Sequence, residues 1–477
     1  MKTAARLALG ALVLGACAAA AGVYALERAG VTPRVLAPYI ERRSSGHNPA
    51  IVAAGQQAAS LLRTLDRGAG QGPLAAAALN RLTLGAQPQA AGSARADGVL
   101  VTDLRALRAA MAEAAPGTVI TIAPGRYALG GRPLEAARAG RPEAPIVVRA
   151  AIPGSVEIAS SLAEAFRVEA PHWRFENLTI NGACRRHDDC EHAFHVVGAA
   201  SGFAAVNNTI GGFNAHFKIN GARGRFPDGG LIEANTLFNP DPRATGKPVT
   251  PVDLVAASGW TVRGNIIRDF VKLQGNQVSY GAFAKGGGSG NVFERNLVWC
   301  EREQAGLPGQ RVGLSLGGGG TGKAFCRDGR CVTEQDGGVV RANLVVGCSD
   351  AGIYLNSAAG SVVEDNTLVD TGGIDVRFAT SSARLDGNLV DGAIRSRDGG
   401  LLRLGDNRAA PLWQSYAGWH PVRALFAAPA MGDFGWYGAA PPRAALRDQG
   451  GADLCAPTRA PARAYGAFED FGACRRR

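Results

Sequence analysis

An all-β solenoid, a coil of short parallel strands, is the fold that this 477-residue sequence predicts. Three observations predict it. First, Asn177, Asn208, Asn235, Asn265, Asn296, Asn343, Asn366 and Asn388 each open a short apolar run such as Asn-Leu-Thr-Ile or Asn-Thr-Leu. They recur about every 30 residues or fewer, apart from one longer gap before Asn343, and that is the size of one solenoid turn. Second, the segments between them alternate apolar and polar residues and break at Gly, Asn, Asp and Ser, the period of a strand and not of a helix. Third, the 65 glycines, 6% aromatic and 19% charged residues suit tight corners and stacked strands. Parallel strands cannot be joined by two-residue hairpins, so three short strands per coil with tight corners make the economical arrangement, a parallel β-helix. Asparagine at one corner of successive coils is expected to bond the asparagine of the next coil and to tolerate left-handed backbone there.

The elements follow in order. Leu7 to Leu26 carry no charge after Lys2 and Arg6, enough to span a bilayer as a helix at ~1.5 Å per residue. Residues 1–28 are therefore read as a membrane-anchor helix, with a lipoprotein signal at Leu14-Gly15-Ala16-Cys17 as the alternative. Residues 29–97 read as a helical or flexible stalk, with a helix over Ile51 to Leu65 broken by the Gly-rich run 68–73. Asp103 is placed to cap a helix that puts Leu104, Leu107 and Met111 on one face, and this helix is expected to cover the open first coil. Strands are expected at Thr118 to Ile122 and Ile146 to Arg149, within a solenoid spanning 98–405. After Asn388 the repeat fades into a C-terminal cap and tail, 406–477, where the segment Leu412 to Pro442, which holds Trp413, Trp419 and Trp436, is expected to pack along the barrel.

Cysteine usage points to export. Beyond Cys17 there are eight, and Cys184 with Cys190, Cys326 with Cys331, and Cys455 with Cys474 are close in sequence. Cys300 and Cys348 follow ladder asparagines by nearly the same distance, so they are expected to bridge neighbouring coils. His187 beside Cys184 and Cys190 is the one place where a metal could compete, and no metal site is assigned. The formal charge of +11 rests on arginine, since only six residues are lysine. It favours an acidic ligand or an anionic surface. No arginine-rich run with interleaved aromatics is present, which argues against nucleic acid.

One strand of each coil can be aligned by its distance from the asparagine that follows. Side chains alternate across a strand, so two outward columns result. The first reads His195, Lys218, Asp253, Phe283, Ser315, Tyr354, Asp375; the second reads Val197, Asn220, Val255, Lys285, Gly317, Asn356, Arg377. Coils lie about 4.8 Å apart, so neighbours in a column touch. A solvated ladder of mixed charge is the plain alternative. Against it, two of the six lysines fall in this cluster, and Lys285 precedes Gly-Gly-Gly-Ser-Gly beside the Gly-rich run from Gly317, which leaves bare backbone for a ligand.

The phrase Ala-Ala-Pro-Gly-Thr-Val-Ile-Thr-Ile-Ala-Pro-Gly-Arg-Tyr, ending at Tyr127, followed by Pro145-Ile-Val-Val-Arg-Ala150 and Pro153-Gly154, resembles the opening of right-handed parallel β-helix proteins of the chondroitinase B and alginate lyase group. The likeness extends loosely to about residue 400. In that group a strand lysine acts as base, an arginine on the following coil assists, and acidic residues before the lysine help hold calcium. The stretch from Phe283 to Asn296 is similar to the lysine strand, which maps the base onto Lys285. Val278 and Tyr280 stand where the acidic residues would, and Leu314-Ser-Leu-Gly-Gly stands where the arginine strand would. The cofactor is therefore unknown: the resemblance implies calcium, and its acidic ligands are not found.

The expected function is that of an envelope-anchored protein acting on an acidic polysaccharide, by lyase or C5-epimerase chemistry that abstracts a proton from a uronate. Lys285, His195, Lys218, Asp253 and Tyr354 are the catalytic candidates; Tyr280, Phe283, Asn220, Asn356, Arg377 and Gly317 are the substrate-binding candidates. The competing expectation is a carbohydrate-binding or structural surface protein that kept the groove without the chemistry. A polygalacturonase-like hydrolase is disfavoured because no aspartate pair has suitable spacing on adjacent strands. The expected setting is a bacterial cell envelope, on its periplasmic or extracellular side, with the protein monomeric. The insertion from Glu301 to Asp336 is expected to lie over the groove.

Overall fold

The computed structural model describes residues 15, 17, 20–67, 79, 81–89, 98–318, 320–443, 451–459 and 464–475. Three parallel sheets of 12, 10 and 11 strands form its body, and in each the bonded neighbours come from successive coils. This is the parallel β-helix. The inward residues of each strand stack on their counterparts one coil away, as Phe166, Phe194 and Phe217 do with ring centroids 4.9 and 5.4 Å apart. Phe175, Phe203 and Trp260 fill the space beside that stack and are fully buried. Repetition of one apolar position per coil is what makes the core continuous.

The asparagine ladder forms with one change of register. Asn208 Nδ2 donates to Asn235 Oδ1 at 3.0 Å, and the same contact links Asn235 to Asn265, and so on through Asn296, Asn343, Asn366 and Asn388 to Asn407. Each Nδ2 also donates to main-chain carbonyls, so the buried amides are satisfied. Asn177 is outside this ladder. It occupies the preceding position, bonded by Asn207 Nδ2, while the Leu178 amide donates to Asn208. From Asn208 to Asn388 the left-handed residue is the one before the ladder asparagine: Asn207, Ala234, Arg295, Ala342 and Asp365 have φ between 51° and 60°, and Gly264 and Gly387 have 65° and 70°. The expectation that the ladder asparagines themselves take that conformation is thus corrected. They serve through their amides, which bond along the stack, and the turn is made one residue earlier.

The ten-stranded sheet positions the site. Its strands are β1 (Leu134–Ala136), β2 (Glu164–Val168), β3 (His192–Val197), β4 (Ala215–Asn220), β5 (Val252–Val255), β6 (Val278–Lys285), β7 (Gln310–Leu316), β8 (Ile353–Asn356), β9 (Gly373–Arg377) and β10 (Ala393–Arg397).

Helices lie outside the coil. Of the apolar run Leu7 to Leu26, residues 7–14, 16, 18 and 19 lie outside the described residues, and no described helix is long and apolar enough to cross a membrane. Helices α1 (Pro33–Ser44) and α2 (Pro49–Arg67) belong to the segment read as a stalk. They are packed against the solenoid. Arg34 donates to Thr371 O at 3.4 Å, and Arg42 bonds Gln310. Helix α3 (Leu104–Glu113) covers the first coil, with Asp103 accepting from the Ala106 amide and Leu107 and Met111 buried. At the other end of the chain, Phe426, Phe434, Phe468 and Phe471 pack on the outside of the eleven-stranded sheet against Leu297, Trp299, Leu344 and Val346. All four disulfides are present: Cys184 with Cys190, Cys300 with Cys348, Cys326 with Cys331, and Cys455 with Cys474.

Candidate functional site

The ten-stranded sheet brings the sequence-derived candidates onto one face. His195 pairs in register with Lys218, Lys218 with Asp253, Asp253 with Phe283, Phe283 with Ser315, Ser315 with Tyr354, and Tyr354 with Asp375. In the second column Asn220 pairs with Val255, Val255 with Lys285, and Asn356 with Arg377. Alternation along parallel strands turns both columns away from the core; there Asp253, Phe283, Ser315, Tyr354, Asn356 and Asp375 are buried, and His195, Lys218, Asn220, Lys285 and Arg377 are half-buried.

Two polar groups form within this face. Around His195, Nδ1 meets Glu164 Oε1 at 2.7 Å and Nε2 meets Asn220 Oδ1 at 2.9 Å. Asn220 Nδ2 donates to Gly221 O at 3.1 Å, which fixes the orientation of the amide. Both ring nitrogens therefore face acceptors. Glu164 also accepts from Arg167 at 3.2 Å. Burial pushes its carboxyl up, but His195 and Arg167 outweigh this and hold it at about 2. His192 stands beside His195, and burial together with the His195 and Lys218 charges holds it down at about 4. On the next coils Lys218 Nζ donates to Asp253 Oδ2 at 3.0 Å.

The second group is aromatic and basic. Lys285 Nζ lies 4.5 Å from the Phe283 ring centroid, a cation–π arrangement, and among the described residues it has no carboxylate partner. Gly318 makes room for it, since a Cβ there would come within 2.8 Å of Lys285 Cδ. Gly317 has φ of +71°, and a Cβ on it would collide with the Asn356 carbonyl. Tyr280 packs edge-on against Phe283 and shares an apolar cluster with Tyr354, Val312 and Ala351. The Tyr354 hydroxyl receives Asn356 Nδ2 at 3.1 Å and Arg377 Nη1 at 3.3 Å. Burial pushes the Tyr354 phenol up and Arg377 opposes it, while burial raises Tyr280 strongly.

Walls rise on both sides. The insertion from Glu301 to Asp336 is divided by strand β7, which belongs to the sheet itself. Residues 301–309 stand at the start of β7, and 317–334 stand at its end beside Lys285. The second part reaches back along the solenoid: Arg327 donates to both Asp228 oxygens at 2.7 and 2.8 Å and covers the Phe226 ring. Glu334 anchors it by accepting from Thr321 and from the Gly286 amide. Along the opposite side lies α1.

Glu164, Arg167, His192, Asp228, Arg327 and Glu334 were not among the sequence candidates. Arg167 and Glu164 could have been found by extending the register one coil before His195, where Arg167 pairs with His195 and Glu164 with His192. Arg327 and Asp228 could not, because no repeat relates them.

Calcium does not fit this face. The carboxylates beside the candidate residues already have partners: Glu164 faces His195, Asp253 faces Lys218, Asp375 lies between Arg395 and Arg397, Asp398 faces Arg377, and Glu334 is filled by Thr321 and Gly286. Val278 and Tyr280 precede Lys285 on its strand, so a divalent ion would find no acidic set there.

No family model and no curated protein matches the chain. Among solved structures it is similar to pectate lyase Pel9A, at 14% identity and TM-score 0.50, with 76% of this chain and 90% of that chain covered. A rhamnogalacturonan lyase aligns at 12% identity and TM-score 0.42, over 62% of this chain and 80% of that one. The A-module of the Azotobacter vinelandii mannuronan C-5 epimerase AlgE4 aligns at 15% identity and TM-score 0.37, over 69% and 94%. The class defined is the parallel β-helix fold. At such identities the likeness is one of fold, and it bears out the resemblance read from the opening phrases.

Proposed function

We propose that this protein is an exported enzyme of acidic polysaccharides that abstracts the C5 proton of a uronate, in β-elimination or C5 epimerisation. One observation carries the reading: His195, Lys218, Lys285 and Tyr354 share a single walled face, and Lys285 stands there beside bare glycine backbone with no carboxylate partner among the described residues. Lys285 is the base that takes the C5 proton. The electron pair left on C5 spreads into the uronate carboxylate, whose growing charge Arg377 or Lys218 offsets. Tyr354 returns a proton, to the leaving O4 in elimination or to the opposite face of C5 in epimerisation. Tyr280 and Phe283 give the sugar an apolar surface, and Asn220, Asn356 and the Gly317 backbone meet its hydroxyls. His195, held at both nitrogens, orients Asn220 and is less suited to act as base.

Four disulfides support an oxidising compartment, and the N-terminal apolar run supports tethering to the envelope membrane. Pel9A, a pectate lyase by name, agrees with the substrate class. The second reading, a non-catalytic carbohydrate-binding protein, is favoured by the internal pairing of Lys218 with Asp253 and of His195 with Glu164.

Incubation with uronate polymers separates the two. Ultraviolet absorbance from a new C4–C5 double bond reports elimination, and deuterium uptake at C5 from heavy water reports epimerisation. One of these is expected, lost by ~10²- to 10⁴-fold in Lys285→Ala and Tyr354→Phe. Binding without either signal would establish the second reading, and a fully active Lys285→Ala protein would remove the site assignment.

A further inference from the structure

The core of the solenoid runs out at its last coil, made of Ala393–Arg397, Leu401–Leu404 and Arg408–Ala409, each the terminal strand of its sheet. Leu404 pairs in register with the fully buried Leu385 and is itself 57% exposed. Ile394 and Leu402 stack on the buried Ile374 and Ala383 and are only half-buried. These are core positions with no further strand upon them, where a water-facing solenoid end would carry a polar outer surface. Exposure alone does not select this end, since Leu100 in the first coil is 65% exposed. The course of the N-terminal segment does. Residues 20–29 are helical and Ala20 to Ala25 are all exposed, so this helix stands away from the coil. Directly after it the chain is fastened to the last coil. The Trp413 amide donates to Glu27 at 3.2 Å, Arg395 Nη1 donates to Gly30 O at 2.8 Å, and Tyr416 Oη donates to Val31 O at 2.8 Å.

Glu27 follows Leu26, the end of the uncharged run that begins at Leu7. No linker separates the run from the fold, so a bilayer that takes up the run has the last coil at its surface. The groups around the exit suit that level. Trp419 is 59% exposed and packs edge-on against Trp413, with ring centroids 5.5 Å apart. Tyr24 is exposed, and its hydroxyl accepts from Arg28 at 3.1 Å. Tryptophan and tyrosine at the end of an apolar helix favour the headgroup layer. Arg28, Arg403 and Arg408 are exposed and have no carboxylate partner among the described residues, which leaves them for lipid phosphates. The carboxylates of this end, Asp398 and Asp406, are held by Arg377 and Arg443.

We propose that the open last coil is seated on the surface of a lipid bilayer, with Leu404 and Trp419 at headgroup level, so that the solenoid stands with its axis away from the membrane. This rests on the tethering read from the apolar run and adds a second, folded contact with the lipid that fixes how the candidate face is presented.

Depth measurements on the full-length protein in vesicles of phosphatidylethanolamine and phosphatidylglycerol test it. Cys17 is the free cysteine, so a Cys17→Ser protein carries a spin label at Leu404→Cys or, as the control of similar exposure, at Leu100→Cys. Relaxation by oxygen is expected to dominate at the first label and relaxation by a water-soluble nickel chelate at the second. Without any label, brominated phospholipid is expected to quench tryptophan fluorescence, and Trp419→Phe to remove most of that quenching. Both labels in water, in protein that still floats with the vesicles, would overturn the seating and leave the tether intact. Protein that does not float with the vesicles would overturn both. A dimer in detergent that Leu404→Lys dissociates would put a second copy on this end in place of lipid.

Discussion

Lys218 and Asp253 stand on adjacent coils, joined at 3.0 Å, and the second oxygen of Asp253 is buried without a hydrogen-bond partner. The pair is lopsided: the Lys218 side chain is 24% exposed and that of Asp253 only 7%. Removing the carboxylate strands an ammonium that is partly shielded from water. Asp253→Leu is expected to cost roughly 2 kcal/mol, below the range for fully buried pairs because Lys218 reaches solvent. The double variant with Lys218→Met is expected to recover most of it. Chemical-denaturation midpoints of the three proteins check this, and equal losses in single and double variants would contradict it.

Glu164 provides a pH signature. Its carboxyl falls from the ordinary 4.5 to about 2, against the upward push of burial, because His195 and Arg167 favour the anion. A depressed carboxylate stabilises the fold above its unfolded-state pKa, and that contribution fades as pH falls from about 4.5 through about 2. Thermal unfolding followed across this window is expected to show a steeper acid loss in the unmodified protein than in Glu164→Gln. Parallel profiles would mean that the contact with His195 is absent in solution.

Metal chelation is expected to change nothing at this face. The carboxylates here are already engaged by His195, Lys218, Arg395, Arg397 and Arg377, so prolonged treatment with EDTA should leave turnover of uronate polymer and the unfolding midpoint where they were. Loss of turnover that calcium restores would show a set of ligands elsewhere.

The asparagine ladder predicts a position-dependent cost. Asn265 Oδ1 accepts from the Asn235 amide and side chain, and its Nδ2 donates to Ile232 O, Arg263 O and Asn296. Asn265→Leu would leave several of these buried groups without partners, at about 3 kcal/mol or more. Asn388→Leu should cost less, because its neighbour Asn407 lies on the final coil where flanking residues are exposed. Denaturation midpoints ranked the other way would show that the number of buried amide bonds does not set the cost.

Much of the site could be read from residues alone. The columns from His195 to Asp375 and from Asn220 to Arg377 were obtained by counting back from each asparagine, and the registers match. The Cys300 to Cys348 bridge came from the same counting. Where counting failed, the cause was a local exception. Asn177 looks like a ladder residue and stands one position early, at the left-handed turn that Asn207 makes in the next coil, and Leu178 fills the ladder position.

What the sequence by itself determined is the coil, its period and which side chains share a face, because in a solenoid each residue meets its counterpart one repeat away and the repeat is written in the chain. What only the tertiary structure decided is how the face is enclosed: the Arg327 grip on Asp228, the passage of Gly30 over Arg395, and the placement of α1 beside the groove. These contacts join segments that no repeat relates. Their geometry depends on where loops and terminal segments come to rest on the finished coil, and only packing fixes that.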